Sequence, residues 1–287
     1  MDRRLELQVD QGDLGQRIDR FVAGRIRSLS RTFVASLVAD GRVLVDGEPV
    51  RRVAQKLQKP GRVTVVLAPE AHDDEVNLDD RIIHLDDAIV VVNKPAGLPV
   101  SARLRLGGED ALKAVRRVLE RRGLGCEFLG NPHRLDKDTS GVLVLARTRE
   151  AARVLSEAFK AGETIKTYLA WTEGLPPTRS GFIAAPILAP GDGEARIDPR
   201  GRPARTRYRV VAVSGGRALL SVRLLTGRTH QIRLHLAHLG TPIVGDRVHG
   251  RAGGGLLLHA RRLVLLHPAT GARIVLRAPP PFSTSLV

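Results

Sequence analysis

The sequence predicts a mixed α/β fold in which a large α/β domain follows a small α+β module. Three observations predict it. From Arg81 onward, β-branched runs alternate with segments whose apolar residues recur at helical spacing. Residues 13–70 hold two short helical patterns and a hairpin signal. Between them, Pro69–Asp80 (PEAHDDEVNLDD) is acidic in an otherwise basic chain and reads as a linker.

The totals narrow the function. A chain of 287 residues suits one large and one small domain, and 43% hydrophobic composition is enough for a core. Lys and Arg number 46 against 30 Asp and Glu, a net charge of +16, so a polyanion is the default partner. No long uncharged apolar run occurs and MDRRLELQVD has no hydrophobic signal core, so no membrane partner and a cytoplasmic location are expected. The one cysteine, Cys126, excludes an internal disulfide or a multi-cysteine metal site. Aromatics are only 3%, which argues against a single-strand binder built on many stacking rings.

In the first module, Ile18, Phe21, Val22 and Ile26 mark one helix, and Phe33, Val34, Leu37 and Val38 a second. Ser30 is the expected N-cap of the second and Gly41 its stop. An Asp46-Gly47 turn joins two short strands, and RVTVVLA is a third. GQRIDRFVA, LSRTFVASLVADGRVLVDGEPV and KPGRVTV together resemble the S4 RNA-binding domain. That resemblance makes Arg31, at the mouth of the second helix, a candidate phosphate contact.

The large domain reads in order as strand AIVVVNKPAG, helix EDALKAVRRVLERRG, strand GVLVLART and helix EAARVLSEAFKAG. Strand IKTYLAWTEG comes next, then a Gly-, Pro- and Arg-rich loop or irregular hairpin over residues 176–206. Strand ALLSVRLLTG, helix THQIRLHLAHLG and two strands flanking His267-Pro268 complete it. Within the second helix, Ala151, Val154, Leu155, Ala158 and Phe159 form the apolar stripe.

Several chemistries drop out. No phosphate-loop or dinucleotide glycine pattern occurs, and Ser140 is not in a nucleophile elbow. His230, His235 and His238 do not have the spacing of a paired helical metal site, so no metal is expected. What remains is Asp136, among the charges of HRLDKDTSG at the mouth of a buried strand. Alone, such an Arg-x-Asp is an ordinary surface ion pair.

NKPAGLPV, HRLDKDTSG, KTYLA, GRPARTRYRV, LTGRTHQIRLHLAHLGTPIVGDRVHG and LLHARRLVLLHP follow one another in the order of the RluA-type pseudouridine synthases, which residues 81–287 closely resemble. The S4-like module in front is an arrangement common in that family. The resemblance implies a mixed, largely antiparallel central sheet flanked by helices. It implies an isomerase that detaches a uridine in RNA at N1–C1′, rotates the base and rejoins it through C5, without cofactor or metal.

Roles then follow by resemblance. Asp136 is the expected nucleophile; an aspartate, with a reference pKa of about 3.9, needs no base to activate it. Attack at C1′, attack at C6 and a glycal route all stay open. Arg233 is expected to pair with Asp136 from a helix whose buried stripe is Ile232, Leu236 and Leu239. Tyr168 is expected to stack on the uracil and to serve as acid or base at C5. The base must leave its helix to react, with Arg134 filling the gap and His133 beside it. Lys166 shares the strand face of Tyr168; Arg228, Thr229, His230 and Gln231 are candidate phosphate contacts; Leu258 is expected near the base.

The loop SARLRLGGED departs from the family, where a His-Pro is usual. Large-subunit ribosomal RNA is the expected substrate, transfer RNA the alternative, and a monomer the default state. A non-catalytic RNA-binding protein and a nucleoside hydrolase are the rival readings.

Overall fold

The structure is a computed structural model and describes residues 3–26, 29, 31–67, 75–101, 109–189, 194–251 and 253–284. The expected N-cap Ser30, residues 68–74 of the linker region and most of the loop SARLRLGGED lie outside the described residues. The chain divides into two compact units, one running to Glu75 and one formed by Val76–Ser101 with Asp110 onward.

The first unit contains β1 (Arg3–Val9), α1 (Ile18–Arg25), α2 (Arg31–Ala39), β2 (Val43–Val45), β3 (Glu48–Pro49) and β4 (Gly61–Leu67). Its strands form one sheet in the order β1-β4-β2-β3. Ile18, Phe21, Val22, Val34, Leu37 and Val38 from the two helices pack with Val43, Val63 and Val65. Gly41 sits beyond α2 at φ +68°, and its N–H donates to the Val38 carbonyl, as a helix stop requires. Strand β1 was not expected, although Leu5, Leu7 and Val9 alternate along it.

The second unit follows the predicted alternation. Its elements are β5 (Ile82–Leu85), β6 (Ile89–Lys94), α3 (Ala111–Arg121), β7 (Ser140–Ala146), α4 (Arg149–Ala161), β8 (Ile165–Thr172) and β9 (Ser180–Ala184). There follow β10 (Ile187–Leu188), β11 (Arg196–Ile197), β12 (Arg205–Ser214), β13 (Arg217–Leu224), α5 (Gln231–His238), β14 (Leu258–Leu266) and β15 (Arg273–Arg277). The main sheet has the order β5-β6-β7-β14-β8-β13-β12-β9, with β15 paired to β14. Among the described residues only β7 and β14 run parallel, so the sheet is largely antiparallel. Residues 176–206 are more regular than expected, since β9 pairs with β12 as the outer strand of this sheet. Leu78, assigned to the linker from its acidic neighbours, is fully buried in this unit's core. An apolar residue between acids is enough to anchor the segment.

The ends of α4 follow capping chemistry. Thr148 accepts a hydrogen bond from the Ala151 N–H, and Gly162 closes the helix at φ +79°. Every residue of β7 is buried, which makes it the rigid post from which the Asp136 loop hangs. Among the described residues no helix is long and apolar enough to cross a membrane.

Candidate active site

The loop before β7 is fixed at three points. Leu135 is buried beside Asp136, and the Thr139 N–H donates to the Asp136 carbonyl at 3.1 Å to close a turn. Lys94, fully buried at the end of β6, donates to the carbonyls of Pro95, Leu98 and Lys137 at 2.8, 2.7 and 2.9 Å. Its three ammonium hydrogens match three acceptors. Burial pulls the Lys94 pKa down to about 7, against the charges of Asp138 and Asp136, which raise it. At the far end of the loop, Gly141 adopts φ +115° and a Cβ there would lie 2.3 Å from the Ala260 carbonyl oxygen, so only glycine fits. β7 and β14 meet there in parallel register, pinned by a 2.9 Å hydrogen bond between Ser140 Oγ and His259 Nδ1.

The loop opens onto a cleft of about 520 Å³, drawn wholly from the second unit. Among the described residues Asp136 is the single carboxylate in its lining, which also holds Arg134, Lys160, Lys166, Arg228 and Arg233. His133, Tyr168, Thr229, His230, Gln231 and Leu258 also line it. Every site residue expected in the large domain therefore converges here. Arg31 belongs to the first unit, where its Nε and Nη2 bond Asp19 at 3.1 and 2.8 Å. Its guanidinium is thus already engaged by a carboxylate, which the phosphate expectation did not include.

Arg233 was expected off the buried stripe of α5. It is buried instead, with its side chain 7% exposed, because α5 is enclosed along Gln231–Leu236. Such a cation needs a close partner, and it has one in Asp246. Nε and Nη2 of Arg233 donate to the two carboxylate oxygens of Asp246 at 2.8 and 2.6 Å. Asp136 lies 3.9 Å from Nη1 of the same guanidinium. Burial alone would raise the Asp246 pKa, but hydrogen bonds from Arg233 and the His249 and Val248 amides hold it at about 2. Asp246 was legible only as the acid of GTPIVGDRVHG, 13 residues beyond Arg233. Nothing in the spacing linked the two.

Tyr168 in β8 is buried in the cleft wall. Burial, then the charge of Asp136, pushes its phenol above the usual range, so the hydroxyl stays protonated at neutral pH. That suits a donor and a flat apolar surface, and disfavours a phenolate base. Lys166, on the same strand face, has its pKa lowered by burial and sits 5.8 Å from the Phe159 ring centroid.

Two expected substrate contacts, both in the cleft lining, also serve as internal supports. His133 accepts from the Val144 N–H at 3.0 Å and stacks on Phe159 at 4.4 Å between centroids. Burial and the nearby Lys166 charge lower its pKa to about 3, so the ring is neutral. Gln231 is 2% exposed. Its oxygen accepts from Thr226 Oγ1 and the Arg228 N–H, while its amide donates to the Arg205 carbonyl and Thr206 Oγ1. That leaves it little capacity for phosphate. Arg228 and Thr229 remain at the rim, followed by His230 at φ +53° with Nδ1 3.0 Å from His249 Nε2.

Away from the cleft, His84, Asp86 and His267 place possible metal-ligand atoms within 4.8 Å of one another. The Nδ1 atom of His267 accepts from the Ala269 and Thr270 amides, so its Nε2 carries the proton and donates to Asp86 at 2.9 Å. The bonding is that of a hydrogen-bonded triad, with no ring lone pair of His267 left for a metal.

Comparison with known proteins agrees with this geometry. The RNA pseudouridylate synthase family matches residues 88–238. An uncharacterized RNA pseudouridine synthase of Chloroflexus aurantiacus is 41% identical, over 95% of this chain and 89% of its own length. Ribosomal large subunit pseudouridine synthase C of Escherichia coli is 34% identical over 93% of this chain and 90% of its own. Among solved structures, human RNA pseudouridylate synthase domain containing 4 superposes with a TM-score of 0.61 at 28% identity, covering 71% of this chain and 90% of that one. The family match over residues 88–238 and the relatives of 34–41% identity over most of the chain settle its identity: the chain belongs to the RNA pseudouridylate synthase family and is an isomerase of uridine in RNA.

Proposed function

We propose that the protein converts uridine to pseudouridine in large-subunit ribosomal RNA, with Asp136 as nucleophile and the target base flipped into the cleft. The observation that carries this is the position of Asp136, a lone carboxylate in a lining of cations, 3.9 Å from a buried arginine that Asp246 already orients. The cations attract a polyanion. In the reaction the N1–C1′ bond breaks, a C5–C1′ bond forms, the C5 hydrogen is lost and N1 gains one, so the base is isomerised without change of mass.

Each neighbour then has a task. Asp136 supplies the carboxylate at the sugar or the base; Arg233 orients it; Tyr168 offers its ring to the uracil and a protonated hydroxyl to the reacting edge. Leu258 closes the apolar side of the pocket. Arg134 fills the stack that the base leaves, and Arg228, Thr229 and Lys166 meet backbone phosphates. His133 and Gln231 act by holding the loop and the rim in place. Residues 13–70 are read as an S4-like RNA-binding domain and 81–287 as the catalytic domain of a cytoplasmic monomer. Large-subunit RNA is favoured by the names of the bacterial relatives.

The test is to incubate the protein with unmodified transcripts of large-subunit ribosomal RNA and of transfer RNAs, then digest them to nucleosides for chromatography. New pseudouridine in the ribosomal transcript alone is expected. Pseudouridine in transfer RNA alone would contradict the substrate, and free uracil with abasic sites would replace isomerisation by hydrolysis.

A further inference from the structure

The cleft occupies one face of the main sheet, and the register shows what the other face carries. Lys166, opposite Leu224, lines the cleft. One residue along, Thr167 pairs with Arg223, Arg223 with Arg207, and Arg207 with Phe182. Because successive strand residues point to opposite faces, this row lies on the back of the sheet. The next row of that face is Ser221, Arg209 and Ser180. Arg207, Arg209 and Arg223 are all exposed, and Phe182 is 54% exposed. These residues border a shallow depression of about 530 Å³ that has, among the described residues, no acidic residue in its lining.

Two features of this surface call for a ligand. Arg207 and Arg223 stand directly opposite each other on adjacent strands, a like-charge arrangement that destabilises a sheet unless an anion lies between. Among the described residues, none of the three arginines has a carboxylate within ion-pair distance, whereas Arg217 on the same strand as Arg223 bonds Glu173. Beside the unpaired cations, Phe182 offers a flat ring to solvent in a chain with few aromatics. Guanidinium groups spaced along strands next to an exposed ring match the alternating phosphates and bases of a single strand.

We propose that the back face of β9, β12 and β13 is a second RNA-contact surface, which holds a single-stranded segment of the substrate RNA distant from the reacting uridine. It rests on the reading that the substrate is a large structured RNA. Arg207, Arg209 and Arg223 bind phosphates, and Phe182 stacks on a base.

The experiment compares wild type, the triple variant Arg207→Gln/Arg209→Gln/Arg223→Gln and the single variant Phe182→Ala. Affinity is measured for a full large-subunit RNA transcript across a salt series, and pseudouridine formation on the shortest fragment that wild type still modifies. The triple variant should bind the full transcript more weakly, with the slope of log affinity against log salt reduced by about 2, as three lost single-strand phosphate contacts require. Phe182→Ala should lose about 5- to 100-fold in affinity. Both should modify the short fragment at the wild-type maximal rate, which shows that they fold. Unchanged affinity and slope in the triple variant would overturn the proposal. So would intact RNA binding together with lost binding of polyglutamate, which would mark the face as a site for an acidic protein. Wild type that binds RNA through this face yet forms no pseudouridine would sink the catalytic reading and leave this one standing.

Discussion

The guanidinium of Arg233 is clamped by Asp246 through hydrogen bonds of 2.8 and 2.6 Å, both partners being withdrawn from solvent. This pair sets the direction of the remaining nitrogen toward Asp136. Removing the acid would strand a buried cation, a change that typically costs about 3–5 kcal/mol. Asp246→Ala should therefore unfold at markedly lower denaturant, measured by urea titration. Asp246→Asn should fold but lose about 100-fold in kcat, because the aim of Arg233 is relaxed.

The same pair predicts an acid response. Asp246 has a folded pKa of about 2, below the reference value of about 3.9 for an unfolded aspartate. A carboxylate depressed in the fold stabilises above the unfolded value and loses that contribution as pH falls through the folded one. The stability difference between wild type and Asp246→Asn should therefore shrink from pH 5 to pH 2 in denaturant titrations. A constant difference would show that the charge of Asp246 is not what the fold uses.

Lys94 ties the Asp136 loop to β6 through the Lys137 carbonyl. Lys94→Met keeps the length of the side chain and removes the donors, leaving buried acceptors unmet at a cost of about 1–3 kcal/mol or more. Stability and kcat should both fall, with RNA affinity nearly unchanged. Wild-type turnover in this variant would mean that the loop is positioned by Leu135 and its own turn.

Tyr168 separates ring from hydroxyl. Tyr168→Phe keeps the surface for the uracil and should bind RNA normally, yet lose about 100-fold or more in single-turnover rate if the protonated hydroxyl acts in the reaction. Tyr168→Ala should lose both. Equal rates for wild type and Tyr168→Phe would reduce the residue to a stacking surface.

Much of this arrangement was legible in the sequence, for identifiable reasons. The apolar runs of β6 and β7 and the spaced apolar residues of α3 and α4 have local periodicity. Asp136, Tyr168 and Arg233, which line one cleft, were singled out because they stand in the contiguous motifs that carry the family resemblance. Asp246 was missed because its link to Arg233 is made by α5 and the loop after it, with no local pattern. The backbone amides that His133 and Gln231 cap were not foreseen, because a polar residue in a motif looks alike whether it faces a ligand or caps a backbone amide. Strand β1 was visible as Leu5, Leu7 and Val9 but lacked a partner until β4 was placed beside it.

The proposed attack of Asp136 on the uridine can be followed at the base itself. The most direct measurement is tritium release from RNA labelled at uracil C5, comparing wild type with Asp136→Asn, alongside RNA affinity for both. Release by wild type, none by Asp136→Asn, and affinities within a small factor are expected. Release by Asp136→Asn at a rate near wild type would contradict the proposed attack.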